Sequence, residues 1–96
     1  MPRFRLSSRA EADFSEIADF TIEAFGLDQA RRYVDGLEAC FQALAHKPSE
    51  GRAADELAPK LMRFRCQSHV VFYIPDAEGV FIVRVLHKSM DFQRHL

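Results

Sequence analysis

The apolar residues of this chain change their spacing once, from a helical period in the first half to an extended period in the second. Over residues 9–47 they recur every three or four positions, as on one face of a helix. Residues 61–86 are instead rich in Val, Ile, Phe and Tyr, which favour strands. A chain of 96 residues has room for one core, so we expect helices and strands to pack together in one domain, 1–96.

Two helices joined by a tight turn are predicted for the first half. Ser8 and Glu11 fit a capping box at the start of a helix over 9–25, and Gly26 fits its C-terminal cap. The second helix begins at Asp28 and ends before Pro48, because proline cannot continue it. The main apolar stripes are Phe14, Ile17, Ala18, Thr21 and Phe25 on the first helix, and Tyr33, Val34, Leu37, Cys40, Phe41 and Leu44 on the second.

Four strands accompany these helices. Residues 3–7 alternate polar and apolar, which predicts a short first strand. A polar loop over 49–59 leads to strands over 61–66, 69–74 and 80–86, which form an antiparallel meander, and a short helix is expected from Ser89. The predicted fold is α+β in the order β-α-α-β-β-β, with a helical hairpin packed on one face of a small, mainly antiparallel sheet.

The cysteines and the hydropathy of the chain favour a reduced protein that needs no metal. Cys40 and Cys66 lie on apolar stripes and are too few for a disulfide framework, so we expect two small buried hydrophobic residues. Neither cysteine has a second Cys or His at metal-ligand spacing. No apolar run approaches the roughly 18–20 residues of a membrane span, and the N-terminal segment lacks the apolar region of a signal peptide. We therefore expect a cytoplasmic protein without metal, cofactor or membrane partner.

The formal net charge of −1 is unevenly distributed. Residues 10–40 contain eight acidic residues against Arg31 and Arg32, whereas residues 1–9 and 63–96 are net positive. A chain with a pI of about 6.4 is not held on nucleic acid by its overall charge.

Motifs for catalysis are missing from the chain, which contains no nucleophile elbow, Walker A sequence, zinc-protease motif or glycine-rich phosphate loop. Arg84 nevertheless stands inside an apolar strand, on the predicted face of Val80, Ile82 and Leu86. Because an unpaired buried charge is costly, two interpretations remain open. Arg84 forms a salt bridge with an acidic residue of a helix, or it marks a sheet face that meets phosphate or an acidic protein.

Two features of the helices indicate a surface for a protein partner. Apolar residues of the first helix extend beyond the arc that packing on a sheet requires, with Phe20 and Ile22 on its opposite flanks. The second helix carries a strip of small residues, Gly36, Ala39 and Ala43, which would let another helix approach closely. Close approach of another helix would account for Gly36, because glycine inside a helix costs about 1 kcal/mol relative to alanine.

Three segments of the chain, taken in sequence order, resemble the ParE-type toxins of the RelE/ParE superfamily. These toxins are the toxic half of bacterial toxin–antitoxin pairs. The resemblance rests on the opening FRLSSRAEADFSEIADFTIEAFG, the loop DELAP and the closing SHVVFYIPDAEGVFIVRVLHKSMDFQRHL. It implies a RelE/ParE-like fold and a non-enzymatic toxin that inhibits DNA gyrase and blocks replication. It also implies neutralisation by a ParD-like antitoxin, with at least two copies of each subunit and contact with operator DNA only through the antitoxin.

The resemblance places the antitoxin on the helical hairpin and the target on the basic strands and tail. The predicted antitoxin-binding residues are Phe20, Ile22, Arg32, Gly36, Ala39 and Ala43. The predicted target-binding residues are Arg63, Arg65, Arg84, His87, Lys88 and Arg94.

The alternative function is that of the RelE branch, whose members cleave mRNA on the ribosome. Arg63 and Arg84 match the basic positions of that branch loosely, and His87 could act as an acid or base because its ordinary pKa is near 6.5. The tail contains Phe92 and no tyrosine, and the pI is low for binding ribosomal RNA. These features favour the gyrase inhibitor over the ribonuclease.

Overall fold

The computed structural model describes residues 2–96 and confirms the α+β prediction, with one strand more than expected. The elements are β1 Arg3–Leu6, α1 Ser8–Phe25, α2 Leu27–His46, β2 Arg52–Ala53, β3 Met62–Cys66, β4 His69–Asp76, β5 Gly79–His87 and α3 Phe92–His95. A single 3-10 turn, Pro48–Glu50, follows α2. The added strand is β2, which lies within the segment predicted to be a loop.

The five strands form one sheet in the order β1-β5-β4-β3-β2. The predicted antiparallel meander of β3, β4 and β5 is confirmed, and β2 pairs antiparallel with β3. β1 joins the sheet parallel to β5, with Arg3 opposite Gly79 and Leu6 opposite Ile82. At Gly79 the β1 backbone comes so close that a Cβ atom would lie 1.9 Å from the Arg3 carbonyl oxygen, which explains the glycine.

Apolar side chains form a core on each face of the sheet. On one face, Leu37, Phe41 and Leu44 of α2 pack in a cluster with strand residues such as Tyr73 and Ile82. On the opposite face, Phe72 and Leu86 lie under the loop before β3 and the C-terminal tail. β4 and β5 are therefore covered on both faces, as their continuous apolar sequences predict.

A bulge at Val83 changes the orientation of the side chains that follow it in β5. Tyr73 pairs with Ile82 and Phe72 pairs with Arg84, so Val83 is the extra residue of β5. Val80 and Ile82 belong to the core beneath the helices, whereas Leu86 belongs to the opposite core. The prediction that Arg84 shares one face with Val80, Ile82 and Leu86 is wrong, because it assumed uninterrupted alternation.

The helical hairpin begins and turns at residues with specific backbone roles. Ser7 caps α1, accepting a hydrogen bond from the Ala10 N–H at 3.0 Å and donating one to the Val83 carbonyl at 2.7 Å. The predicted cap at Ser8 is therefore wrong by one residue, because Ser7 reaches both α1 and β5. Gly26 alone separates α1 from α2 and has φ 91° and ψ 169°, a conformation that favours glycine. Phe25, predicted for the buried stripe, lies at this tip and is 68% exposed.

Cys40 of α2 and Cys66 of β3 form a disulfide bond, which corrects the expectation of two separate reduced cysteines. Cys66 is buried in the helix-side core, and the half-buried Cys40 packs against it where α2 lies over β3. The apolar stripes predicted their burial but not that the two stripes meet at these positions. The bond joins the helical hairpin covalently to the sheet.

Candidate functional site

A groove of about 760 Å³ lies where α1 and the start of α2 meet the end of β5 and the C-terminal tail. Apolar and titratable side chains together form its surface. The lining residues are Asp13, Glu16, Ile17, Phe20, Thr21, Phe25, Gln29, Tyr33, Ser68, His69, Arg84, Val85, Leu86, His87, Met90 and His95.

The rim of the groove is formed by large apolar side chains exposed to solvent. Phe20 and Phe25 are each 68% exposed, and Met90 is 40% exposed. Helical spacing places both phenylalanines on the side of α1 that carries Ile17, so the apolar stripe continues from the core to the rim. Exposed apolar patches of this kind mark surfaces that bind another protein.

An ion pair between Asp13 and Arg84 lies at the wall of the groove. The guanidinium donates from Nε to Asp13 Oδ2 at 2.8 Å and from Nη2 to Oδ1 at 2.9 Å. Arg84 Nη1 donates to the His95 carbonyl oxygen, and the Asp13 hydrogen bond raises the pKa of Arg84. The salt-bridge interpretation of Arg84 is confirmed, and its guanidinium is already occupied by the carboxylate and the tail.

The same carboxylate also completes the edge of β5. The pairing of β5 with β1 ends at Ile82, whereas β5 continues to His87. Beyond that point the Val85 N–H donates to Asp13 Oδ2 at 2.9 Å, so a side chain of α1 replaces a neighbouring strand. This contact holds the end of β5, which includes His87, in the wall of the groove.

Tyr33, His69 and His87 form a connected cluster at the other side of the groove. The Tyr33 hydroxyl lies 2.6 Å from His69 Nδ1 and accepts a hydrogen bond from the Ser68 N–H at 3.1 Å. The rings of His69 and His87 meet edge to face with 5.3 Å between their centroids. Burial, and secondarily the charge of His87, lower the pKa of His69 to about 4. His69 is therefore neutral at neutral pH.

Of the predicted antitoxin-binding residues, the groove includes Phe20. Ile22, Arg32, Ala39 and Ala43 are exposed elsewhere on the two helices. Gly36 makes room for a neighbour in its own chain, since a Cβ atom there would lie 2.8 Å from Gln67 Nε2. The Gln67 side chain occupies the space beside Gly36, and contact between the small-residue strip and an antitoxin stays a prediction.

The predicted target-binding residues fall into two separate groups. Arg84 and His87 line the groove. Arg63 and Arg65 lie on the sheet face away from the helices, because the alternate residues of β3 lie in the helix-side core. Arg63 contacts Glu56 at 3.2 Å, and Arg65 Nε donates to the Gln67 carbonyl at 3.0 Å. Lys88 and Arg94 are exposed in the tail.

Asp13 was not among the predicted site residues, although the sequence contains a signal for it. Ala10, Ile17 and Thr21 follow one face of α1, and Asp13 lies on that face. A carboxylate on an apolar helix stripe needs a buried counter-charge, and Arg84 is the equally isolated cation of an apolar strand. His69 and Tyr33 carried no comparable signal, because their contact depends on how α2 is placed over β4.

Neither a cluster of side chains that could hold a metal nor a helix that could span a membrane occurs among the described residues. No three side chains of His, Cys, Asp or Glu within residues 2–96 are arranged to hold a metal ion. None of the helices in this range is long and apolar enough to cross a membrane.

A family model described as the ParE toxin of the type II toxin–antitoxin system, parDE, matches residues 4–92. The chain belongs to the ParE toxin family. The resemblance drawn from the order of the motifs is thereby confirmed, and with it the place of the chain among toxins of type II toxin–antitoxin systems.

Individual ParE proteins are similar to the chain over its full length. Toxin ParE1 of Mycobacterium tuberculosis is 40% identical over 95 residues, covering 98% of this chain and 97% of that protein. Toxin ParE1 of Caulobacter vibrioides is 38% identical, covering 100% and 99%, and Toxin ParE of Escherichia coli is 36% identical, covering 100% and 94%. A chain of the solved structure described as the chromosomal ParDE TA system from P. aeruginosa has a TM-score of 0.76 at 16% identity, covering 91% of this chain and 96% of that chain. The RelE/ParE-like fold is confirmed.

The ion pair of Asp13 gives a prediction about stability. Asp13→Asn keeps the side-chain size but leaves the largely buried Arg84 without a counter-charge. We expect the free energy of unfolding to fall by about 3–5 kcal/mol in chemical denaturation followed by circular dichroism. The exposed Asp19→Asn on the same helix should change it by less than about 0.5 kcal/mol. An Asp13→Asn variant as stable as the parent chain would show that the ion pair does not hold α1 on β5.

The neutral state of His69 gives a prediction about pH. The ordinary pKa of histidine is about 6.5, and that of His69 in the folded chain is about 4. Between these values the unfolded chain binds more protons, so stability should fall as the pH decreases from about 6.5 to about 4, with no contribution from His69 above that range. NMR titration of the His69 ring should give a midpoint near 4, and His69→Gln should reduce the pH dependence of the melting temperature. A midpoint near 6.5 would contradict the burial of this ring.

Proposed function

We propose that the chain is the toxin of a parDE pair and that it acts by binding, without catalysis, through two different surfaces. One surface is the groove with its exposed rim of Phe20, Phe25 and Met90, which binds the antitoxin. The other is the basic sheet face and tail, which meets the target. The proposal rests on one observation: this member of the ParE family exposes large apolar side chains at the rim of its groove.

The occupant of the groove is a segment of a ParD-like antitoxin. Its apolar side chains cover the rim, because burying two largely exposed phenylalanines and a methionine supplies the main favourable energy of binding. The toxin and antitoxin associate in the cytoplasm with at least two copies of each, and operator DNA is contacted by the antitoxin alone. Residues 1–96 act in this assembly as one toxin domain.

The target surface contains basic residues on the opposite side of the sheet. Arg63 of β3 pairs with Phe72 of β4. The ring centroid of Phe72 lies 5.0 Å from that of Phe92 in α3. The basic residues of β3 and those of the tail therefore border the same apolar cluster, away from the helical hairpin. We assign DNA gyrase as the target, in keeping with what the family resemblance implies. The β3 part of this surface is separate from the groove, whereas the tail also contributes Met90 and His95 to the groove lining.

The ribonuclease alternative has less support from the geometry. Arg84 is held by Asp13 and the His95 carbonyl, so its guanidinium is not free to bind a phosphate. Arg63 contacts Glu56 on the opposite face of the sheet. The groups that a nuclease would need beside His87 are thus directed to different parts of the molecule.

The groove gives a prediction about antitoxin binding. Phe20→Ala should weaken binding of the cognate ParD-like antitoxin at least tenfold in calorimetry, because the complex loses a large apolar anchor at the rim. Its melting temperature should change little, since Phe20 is mostly exposed. Leu27→Ala removes another exposed apolar side chain, outside the groove lining, and should leave the affinity unchanged. Equal affinities of the parent chain and Phe20→Ala would remove the groove as the antitoxin site.

The target is tested separately with purified gyrase. The chain should inhibit DNA supercoiling, and charge reversal of Arg65 or Arg94 to Glu should weaken inhibition several-fold while antitoxin binding persists. Arg31→Glu, on the exposed surface of α2, serves as the matched control. No inhibition at large excess over gyrase would exclude this target, and codon-phased cuts in mRNA after induction would establish the ribonuclease instead.

A further inference from the structure

The disulfide between Cys40 and Cys66 lies at the start of a series of contacts that leads to the groove. Cys66 is the last residue of β3, and the next two residues, Gln67 and Ser68, form the turn into β4. Gln67 Nε2 donates to the Tyr33 carbonyl at 3.0 Å, and the Ser68 N–H donates to the Tyr33 hydroxyl. That hydroxyl contacts His69 in the groove. The bond and these contacts attach the turn to α2 at three successive positions.

The turn depends on this attachment. Gln67 has φ +58°, in the left-handed region that disfavours a residue with a side chain. The pairing of β3 with β2 covers Met62 and Arg63, so the later part of β3 is held by β4 on one side and by α2. Within residues 2–96, Cys40–Cys66 is the one covalent cross-link between side chains of α2 and this strand.

The two cysteine residues differ in their exposure to solvent. Cys66 is buried, at 3% exposure, whereas Cys40 is half-buried at the surface of α2. A thiolate from solution therefore has readier access to Cys40 than to the buried Cys66. Thiol–disulfide exchange requires that access for attack.

We propose that Cys40–Cys66 is a thiol–disulfide exchange site that controls the order of the β3–β4 turn and thereby the His69 side of the groove. A soluble dithiol supplies the electrons. Its thiolate attacks Cys40 Sγ, a mixed disulfide forms, and Cys66 leaves as a thiolate that takes a proton from water. The second thiol of the reagent then releases Cys40 as a thiol and becomes a cyclic disulfide, so that two electrons pass to the protein.

Reduction removes the covalent attachment and leaves the hydrogen bonds of Gln67 and Ser68 to hold the turn alone. The turn and His69 then sample more conformations, and a partner that binds the groove must order them again. The reduced chain therefore binds the antitoxin more weakly than the oxidised chain. This last step rests on the proposed function, whereas the change at His69 does not.

The first test uses the full chain, oxidised or treated with dithiothreitol under native conditions, with thiols counted by alkylation and mass spectrometry. We expect both cysteines to be alkylated after treatment and neither before it. The melting temperature should fall by roughly 10 °C or more, and the NMR titration midpoint of His69 should move from near 4 towards 6.5. Cys40→Ala/Cys66→Ala should resemble the reduced chain and show no response to dithiothreitol.

Two outcomes of this test would overturn the proposal. Cysteines that become accessible only after denaturation would show that the bond does not exchange in the folded chain. A lower melting temperature with an unchanged His69 titration would show that the bond stabilises the fold without affecting the groove. Both measurements use the parent chain, so they remain decisive even where the double variant fails to fold.

The second test measures antitoxin binding in the two redox states. Reduction should weaken the affinity five- to tenfold in the parent chain and leave that of the double variant unchanged. Equal affinities in both states would overturn the control of binding. Absence of antitoxin binding in either state would contradict the proposed function instead, and the His69 titration would still decide whether the exchange site affects the groove.

Discussion

The contact between Asp13 and Arg84 determines how the helical hairpin meets the sheet. β1 accompanies β5 only to Ile82, so the rest of β5 needs another partner on that edge. The Asp13 carboxylate supplies it by accepting hydrogen bonds from the Val85 N–H and from the guanidinium. Arg84 in turn donates to the His95 carbonyl. The Asp13–Arg84 pair therefore connects α1, β5 and the tail, and these three elements line the groove.

A buried ion pair is not the cheapest way to hold a helix on a strand, because both charges must be removed from water. Two apolar side chains of similar volume would pack without that cost. The pair differs in being directional, since three hydrogen bonds to one carboxylate permit only one orientation of α1 over β5. That orientation exposes Phe20 and Phe25 beside His87, so the pair shapes the groove as well as holding α1 on β5.

The periodicity of the sequence was sufficient to predict the order of the two long helices and the four longer strands, and the antiparallel meander, because these depend on local patterns; the two-residue strand β2 was missed. Periodicity could not predict contacts that depend on how two elements meet. The bulge at Val83 reverses the orientation of later side chains, and no residue type marks it in the sequence. Cys40 and Cys66 were recognised as buried, but their bond depends on the placement of α2 over β3. The isolated charges of Asp13 and Arg84 were, in contrast, a sequence signal for their contact.

Exposure of the apolar rim to water is unfavourable for the free chain, and binding of a partner removes that cost. A domain of this size has few apolar residues to spare, yet Phe20 and Phe25 contribute little to its core. The helices are acidic and the far face of the sheet is basic, which keeps the net charge near zero while giving the two sides opposite signs. A near-neutral total therefore does not argue against binding. It follows from the uneven distribution of charge, with eight acidic residues among residues 10–40 and with Arg63 and Arg65 on the sheet face away from the helices.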